Sequence, residues 1–296
     1  MKRLLLCIGL FFCVATVMPV QAQSIVDADD EKNFSDFYEK TLSKGKSAMP
    51  YAHLRESDVV WATKVWRTID FREKFNQFFY FPVDPESNTQ GRINLSNLIY
   101  KALSNGEIEV YEDDETKIPL DWETVNAKLN RIDSVWHEGE EDEYGELISE
   151  GYMEPVTISF ESKDYFVARL KETWYIDKQD TRQKVRITGL ALVYNDCRER
   201  GGEVECNAIE RFWVPMDDMR VRNILAKYNA YDEHNDAAER SYDDVFVDRY
   251  FDSYVTRVSN RINRTISSYV TGTDAILEAQ RIEEEIFNIE SDMWEY

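Results

Sequence analysis

Chemistry at a protein site needs nucleophiles, metal ligands or paired acids at workable spacing, and this sequence offers few of them. Its three histidines, His53, His137 and His234, lie far apart and match no zinc-ligand spacing. No glycine-rich stretch has the pattern that cradles a phosphate. Serines and carboxylates are plentiful, but no spacing singles out a triad or an acid pair. With 57 acidic residues, chance pairs are expected. One acidic run, residues 137–147 (HEGEEDEYGEL), carries the carboxylate oxygens that suit calcium. It lacks the alternating Asp/Asn spacing and mid-loop glycine of an EF-hand, so it reads as a solvated acidic loop. No catalytic, cofactor or metal residue is assigned, and no cofactor is expected.

The four cysteines divide into two pairs. Cys7 and Cys13 fall in the opening MKRLLLCIGLFFCVATVMPVQAQS, where Lys2 and Arg3 precede an apolar run from Leu4 to Val17. Val20-Gln21-Ala22 is a small-residue cleavage signal, so residues 1–22 read as an export signal cut after Ala22. Large side chains (Leu6, Phe11, Phe12) crowd the positions before both cysteines, which argues against a lipid anchor. Cleavage removes Cys7 and Cys13 and leaves Cys197 and Cys206, either side of Gly201-Gly202. In an oxidising compartment that even pair is expected to form one disulfide stapling a hairpin, with a pair of free thiols as the alternative. Cleavage also takes two positive charges and no negative one, so the formal charge goes from −22 to −24. Such a chain repels nucleic acid and anionic lipid. The charge suits a basic partner surface or solubility alone.

The elements that would present any interaction residues can be read in order. Residues 23–49 are polar, with the acidic cluster Asp27, Asp29, Asp30 and Glu31, and read as an arm without a core of its own. Prolines 50 and 82 bound a stretch without internal Gly or Pro that holds Trp61 and Trp66. Ala62, Val65, Trp66 and Ile69 fall at three- and four-residue steps, which predicts a helix over about 57–76. Arg67, Asp70 and Arg72 fall among the charged positions of the rest. Two roles stay open for this stretch: a core clamp through two indoles, or a partner-facing surface.

Helices are also predicted over 95–104, stopped by Gly106, over 122–132, capped by Asp121, and over 217–228. A half-exposed strand is expected at 107–112. Alternating or apolar runs at 156–161, 165–176, 185–194 and 208–214 predict antiparallel strands, with a turn at 178–181. Ser241 with Asp244 resembles a capping arrangement and opens what reads as the longest helix, since Tyr242, Phe246, Tyr250 and Tyr254 recur every four residues. That helix is expected to run toward Gly272, with a break near Ser259-Asn260, and a last helix begins at Thr273. The fold expected is α+β: a central antiparallel sheet (about 155–215) packed with N- and C-terminal helices, in one domain spanning 50–296. Fold or interface candidates are Trp61, Trp66, Arg67, Asp70, Arg72, Tyr250 and Trp294.

A wider pattern ties these pieces together. Pro50, Tyr51, His53-Leu54-Arg55-Glu56, Asp58-Val59, Trp61, Val65-Trp66-Arg67, Ile69-Asp70 and Arg72-Glu73-Lys74 form its first block. Lys171-Glu172, Trp174, Asp177-Lys178-Gln179, Arg186-Ile187 and Gly189 form the second. Tyr242 to Phe246, Arg249-Tyr250-Phe251, Ser253-Tyr254, Arg281-Ile282, Glu284 to Phe287 and Trp294-Glu295-Tyr296 complete it. In this collinear order, from about residue 50 onward, the chain resembles the GldN/PorN family, the N-subunit of the Bacteroidetes gliding-motility and type IX secretion machinery. The resemblance implies a non-catalytic periplasmic subunit. It would form rings with an outer-membrane lipoprotein of the K type, touch an inner-membrane M-type motor component, and meet the membrane only through partners. The competing class is an envelope hydrolase or small-ligand binding protein with an unrecognised site.

Overall fold

The computed structural model describes residues 46–83, 92–137, 152–200, 203–230, 235 and 240–294, with the backbone alone at 131–137, 197–200, 203–206 and 293–294. Its frame is a seven-stranded antiparallel sheet. The strands are β1 (Val59–Asp70), β2 (Val110–Tyr111), β3 (Pro119–Leu120), β6 (Val167–Asp177), β7 (Gln183–Arg200), β8 (Glu203–Pro215) and β9 (Tyr254–Val258). Their spatial order is β3-β2-β8-β7-β6-β1-β9. A separate hairpin pairs β4 (Arg131–His137) with β5 (Tyr152–Ile158). The helices are α1 (Gln77–Tyr80), α2 (Leu95–Ser104), α3 (Trp122–Leu129), α4 (Met219–Lys227), α5 (Tyr242–Val247) and α6 (Thr273–Trp294). The expected α+β class with its antiparallel centre is what the chain adopts.

The stretch that reads as the first helix is instead β1, inserted between β6 and β9. Its register with β6 runs from Val59↔Asp177 to Asp70↔Val167. The composition favours this outcome: Val59, Val60, Thr63, Val65, Thr68 and Ile69 are β-branched and pack well on a pleated surface. Alternation then sends the indoles to opposite faces. Trp61 packs with Val65, Val255 and Ile286. Trp66 packs with Ala191 and Trp213.

The main core lies on the face shared by Ile69, Leu170, Leu190 and Val214, covered by Leu98 and Leu103 of α2, Leu225 of α4 and Phe246 of α5. α6 closes the rest of that face through Ala279 and Ile286 against Val65 and Val255. α2 keeps its predicted span and ends with Gly106 at φ +69°, a conformation glycine adopts without strain. Gly189 has a different reason: a Cβ there would sit 3.2 Å from the Trp213 ring.

The long helix expected after Ser241 does not form. Ser241 and Asp244 do make a reciprocal capping box, but α5 lasts six residues. Arg249 takes φ +54°, ending it. Phe251 then turns into the main core and Val255 joins β9. Among the described residues the longest helix is α6. Asp121 stands at the N-cap of α3 without a side-chain hydrogen bond, and α3 stops at Leu129, where β4 follows.

Candidate interaction surface

β1 carries most of the candidate residues, and its two faces treat them differently. On one face Asp114 draws three groups together. The Trp66 indole donates from Nε1 to Asp114 Oδ2 at 2.8 Å. Arg257 donates to the same oxygen at 2.8 Å, with its guanidinium 3.6 Å over the Trp66 ring. Lys171 donates to the Asp114 carbonyl, 5.8 Å from that ring. Asp114 reaches this position because Asp113 accepts from the Lys117 and Ile118 N–H groups and tightens the turn between β2 and β3. Burial pushes the Lys171 pKa down and the Asp114 charge pulls it back, while Lys64 and Arg257 push it down again, leaving it below the ordinary lysine value.

On the other face Arg67 donates to Ser253 Oγ (2.8 Å), to the Ser253 carbonyl (2.8 Å) and to Glu283 (2.6 Å), tying β1 to the entry of β9 and to α6. Glu172, wholly buried, accepts from the Trp174 indole at 2.9 Å and pairs with Arg249. The strained Arg249 backbone thus serves a charge that would otherwise be buried alone. At the end of β1, Asp70 accepts from the backbone and guanidinium of Arg72, which lies 4.5 Å over Phe166. Burial raises the Asp70 pKa, but the Arg72 hydrogen bonds and charge more than offset it and hold it below the ordinary range. Tyr250 is exposed, 4.7 Å from the Phe75 ring, with Arg240 3.9 Å above it.

A third network docks the extended segment before β1. Arg222 of α4 makes a two-pronged pair with Asp243 of α5, at 2.9 and 3.0 Å. It also donates to the Met49 carbonyl at 2.7 Å and lies 4.3 Å over the Tyr51 ring. Lys46 reaches Asp244 at 2.6 Å, and Ala48 N–H donates to Asn223. The last residues of the expected arm are therefore held on the domain.

The candidates are not one cluster. Trp66 and Arg67 are buried on opposite faces, Asp70 and Arg72 pair with each other, and Trp61 lines a groove against α6. Trp294 stands in the last turn of α6, its side chain outside the described residues. Asp114, Arg257, Arg222, Asp243 and Glu172 do most of the joining; Glu172 and Asp243 fall within the blocks of the family resemblance, and no sequence signal marks the other three. His53 lines a shallow cleft with Arg186, and the acidic loop after His137, His234 and the export signal lie outside the described residues. Backbone register sets Cys197 opposite Cys206 across β7 and β8, their side chains also outside that description. Among the described residues no three His, Cys, Asp or Glu side chains converge as metal ligands, and no helix is long and apolar enough to cross a membrane.

Charged groups thus lock strands to helices in this α+β domain, and aromatics such as Tyr250 are left at the surface. More particularly, the chain belongs to the family of the gliding motility associated protein GldN, whose model matches residues 54–295. A comparison with curated proteins found no match. Membership carries a role in gliding motility and the type IX secretion apparatus, as a cell-envelope component of a generally non-catalytic kind.

Proposed function

We propose that this chain is a structural subunit of the type IX secretion apparatus. It is exported by residues 1–22, acts in the periplasm, and assembles into a ring with an outer-membrane K-type lipoprotein. It contacts the periplasmic part of an inner-membrane M-type motor component and meets the membrane only through these partners. The family match across residues 54–295 carries the reading. The expected domain, 50–296, includes all of that match, and residues 23–49 form its arm. The satisfied buried charges around Arg67, Glu172 and Arg222 support a rigid building block, because each pair fixes one element against another.

The test is recovery of the tagged full-length chain from solubilised envelope. Co-purification with the lipoprotein and the motor component is expected. A free monomer without either would overturn the reading. Removing residues 23–45, which leaves Lys46 and Ala48 in place, is expected to keep the thermal midpoint and weaken partner recovery. Unchanged recovery would remove the arm from the interface.

A further inference from the structure

The groove between β1, β9 and α6 is balanced in charge, with Arg264 and Arg281 beside Glu278 and Glu285. Arg264 is taken up by the Tyr269 ring and the nearby Glu278. The tip of the loop leaving β9 is different. It lies within residues 253–273, which carry Arg257, Arg261 and Arg264 and no acid, in a chain of formal charge −22. Asn260 closes this loop. Its side chain accepts from the Arg264 N–H at 3.0 Å and donates to the Val258 and Arg264 carbonyls at 2.8 and 2.9 Å. Asn263 takes φ +51°, which asparagine tolerates. Arg261 and Ile262 stand at the tip, outside the groove's lining. Ile262 is 72% exposed. Arg261 is exposed too, with no hydrogen-bond or ion-pair partner among the described residues. At the loop's foot the Ser259 N–H donates to the carbonyl of Lys64, another exposed cation. Lys64, Lys117, Lys171, Arg257 and Arg261 thus outnumber the acids of this region, Asp113, Asp114 and Glu115. A loop already held in shape, with an uncommitted Arg and an aliphatic tip, loses little freedom on binding.

We propose that this loop receives the acidic run 138–150 of a second copy, with Arg261 and Lys64 against its carboxylates and Ile262 against its apolar side chains. The run, EGEEDEYGELISE, has seven acids and no base, and includes Tyr144, Leu147 and Ile148. In the other base-free acidic stretches, Glu112, Asp114 and Glu283 are already paired with Lys128, Arg257 and Arg67 of their own subunit. The run joins β4 to β5 in a ribbon whose two feet, Leu129 and Phe160, pack on the main core. That ribbon is entered from α3, directly after β3 at one edge of the seven-stranded sheet, whereas the loop leaves β9 at the other edge. Loop and run therefore belong to different parts of the molecule, and the contact is head-to-tail, able to repeat from copy to copy. The presence of a second copy rests on the assembly reading above.

The experiment is sedimentation velocity of the full chain at low and high salt, beside two neutralised variants. The loop variant carries Arg261→Gln with Ile262→Ser. The run variant carries Glu140→Gln, Glu141→Gln, Asp142→Asn and Glu143→Gln. The wild type is expected to self-associate, less so at high salt, and each variant to do so about tenfold more weakly or worse. Mixing the two variants is expected to give a one-to-one complex that grows no further, because each supplies one intact half. Recovery on mixing also shows that both variants are folded. A monomeric wild type, a variant that associates like it, or a mixture without a complex overturns the inference. If the envelope complex is recovered while the variants associate like the wild type, this inference alone falls. If self-association follows the expected pattern and no envelope complex is recovered, the assembly reading alone falls.

Discussion

Replacing Asp243 by Ala tests whether the Arg222 network holds the N-terminal segment. Both side chains are nearly sealed, at 3% and 7% exposure. Burial works against the Arg222 charge, but the Asp243 hydrogen bonds and field outweigh it and hold its pKa above the ordinary arginine value. Without Asp243 the guanidinium keeps the Met49 carbonyl, the Tyr51 ring and the weaker field of Asp217. An uncompensated buried charge costs about 3–5 kcal/mol. That is a large share of the roughly 5–15 kcal/mol that holds an ordinary domain. With a urea slope of about 2–3 kcal/mol/M, the midpoint followed by tryptophan fluorescence is expected to fall by about 1–2.5 M.

The double replacement Arg222→Met with Asp243→Leu separates charge from shape. It removes both charges and strands only the Met49 carbonyl, which costs roughly 1 kcal/mol. The double variant is therefore expected to be more stable than Asp243→Ala, while proteolysis within residues 46–58 quickens because the Arg222 anchor is gone and Lys46–Asp244, Ala48–Asn223 and Arg186–Ala52 remain. A loss below about 1 kcal/mol in Asp243→Ala, or a double variant as weak as the single one, would refute the reasoning.

Trp66→Ala is expected to cost about 3–5 kcal/mol and half-buried Trp61→Ala less, with a coupling below roughly 0.5 kcal/mol in the double variant because the rings lie on opposite faces; a larger coupling would contradict the strand. Asp70 and Asp244 both have depressed folded pKa values, in each case because hydrogen bonds and a nearby cation overcome burial. Their stabilisation is present above the unfolded carboxylate value and lost as pH falls through the folded one, so the thermal midpoint is expected to drop below about pH 4, and a flat profile would refute this. Mass spectrometry of unreduced, alkylated mature protein is expected to show one Cys197–Cys206 bond, whose loss in a double Ser variant costs about 2–3 kcal/mol, and two alkylated thiols would exclude it.

The sheet's middle strands, α2 and α6 were legible because one rule governs each. A turn bounds the β6–β7 hairpin at residues 178–181, and α2 has a clean apolar face with a glycine stop. β1 defeated periodicity for a physical reason. Residues Val65 to Ile69 are buried on both faces, so the alternation that marks a half-exposed strand disappears exactly where the apolar residues are densest. What remained, Val65, Trp66 and Ile69, also fits helical steps. The β-branched composition is the better guide, because an absence of Gly and Pro suits a strand as well as a helix. Tyr242 to Tyr254 misled in the same way, since Tyr242 and Phe246 obey helical spacing inside α5, whereas Tyr250 and Tyr254 lie beyond its end.

The interaction residues were harder to read because their partners are distant in sequence. Trp66 meets Asp114 48 positions later and Asp114 meets Arg257 143 later. Arg67 meets Glu283 216 positions away. A local pattern can nominate Trp66 and Arg67 but not decide whether they face a partner or the core. The tertiary packing decides it: the main core and α6 cover one face of β1, Trp213 and the β2–β3 turn pack on the other, and its indole and guanidinium are consumed by Asp114 and Glu283. Half-buried Trp61, where β1 begins beside α6, has no such hydrogen-bond partner among the described residues. One strand thus commits its second tryptophan fully to the fold and leaves its first half-exposed against α6.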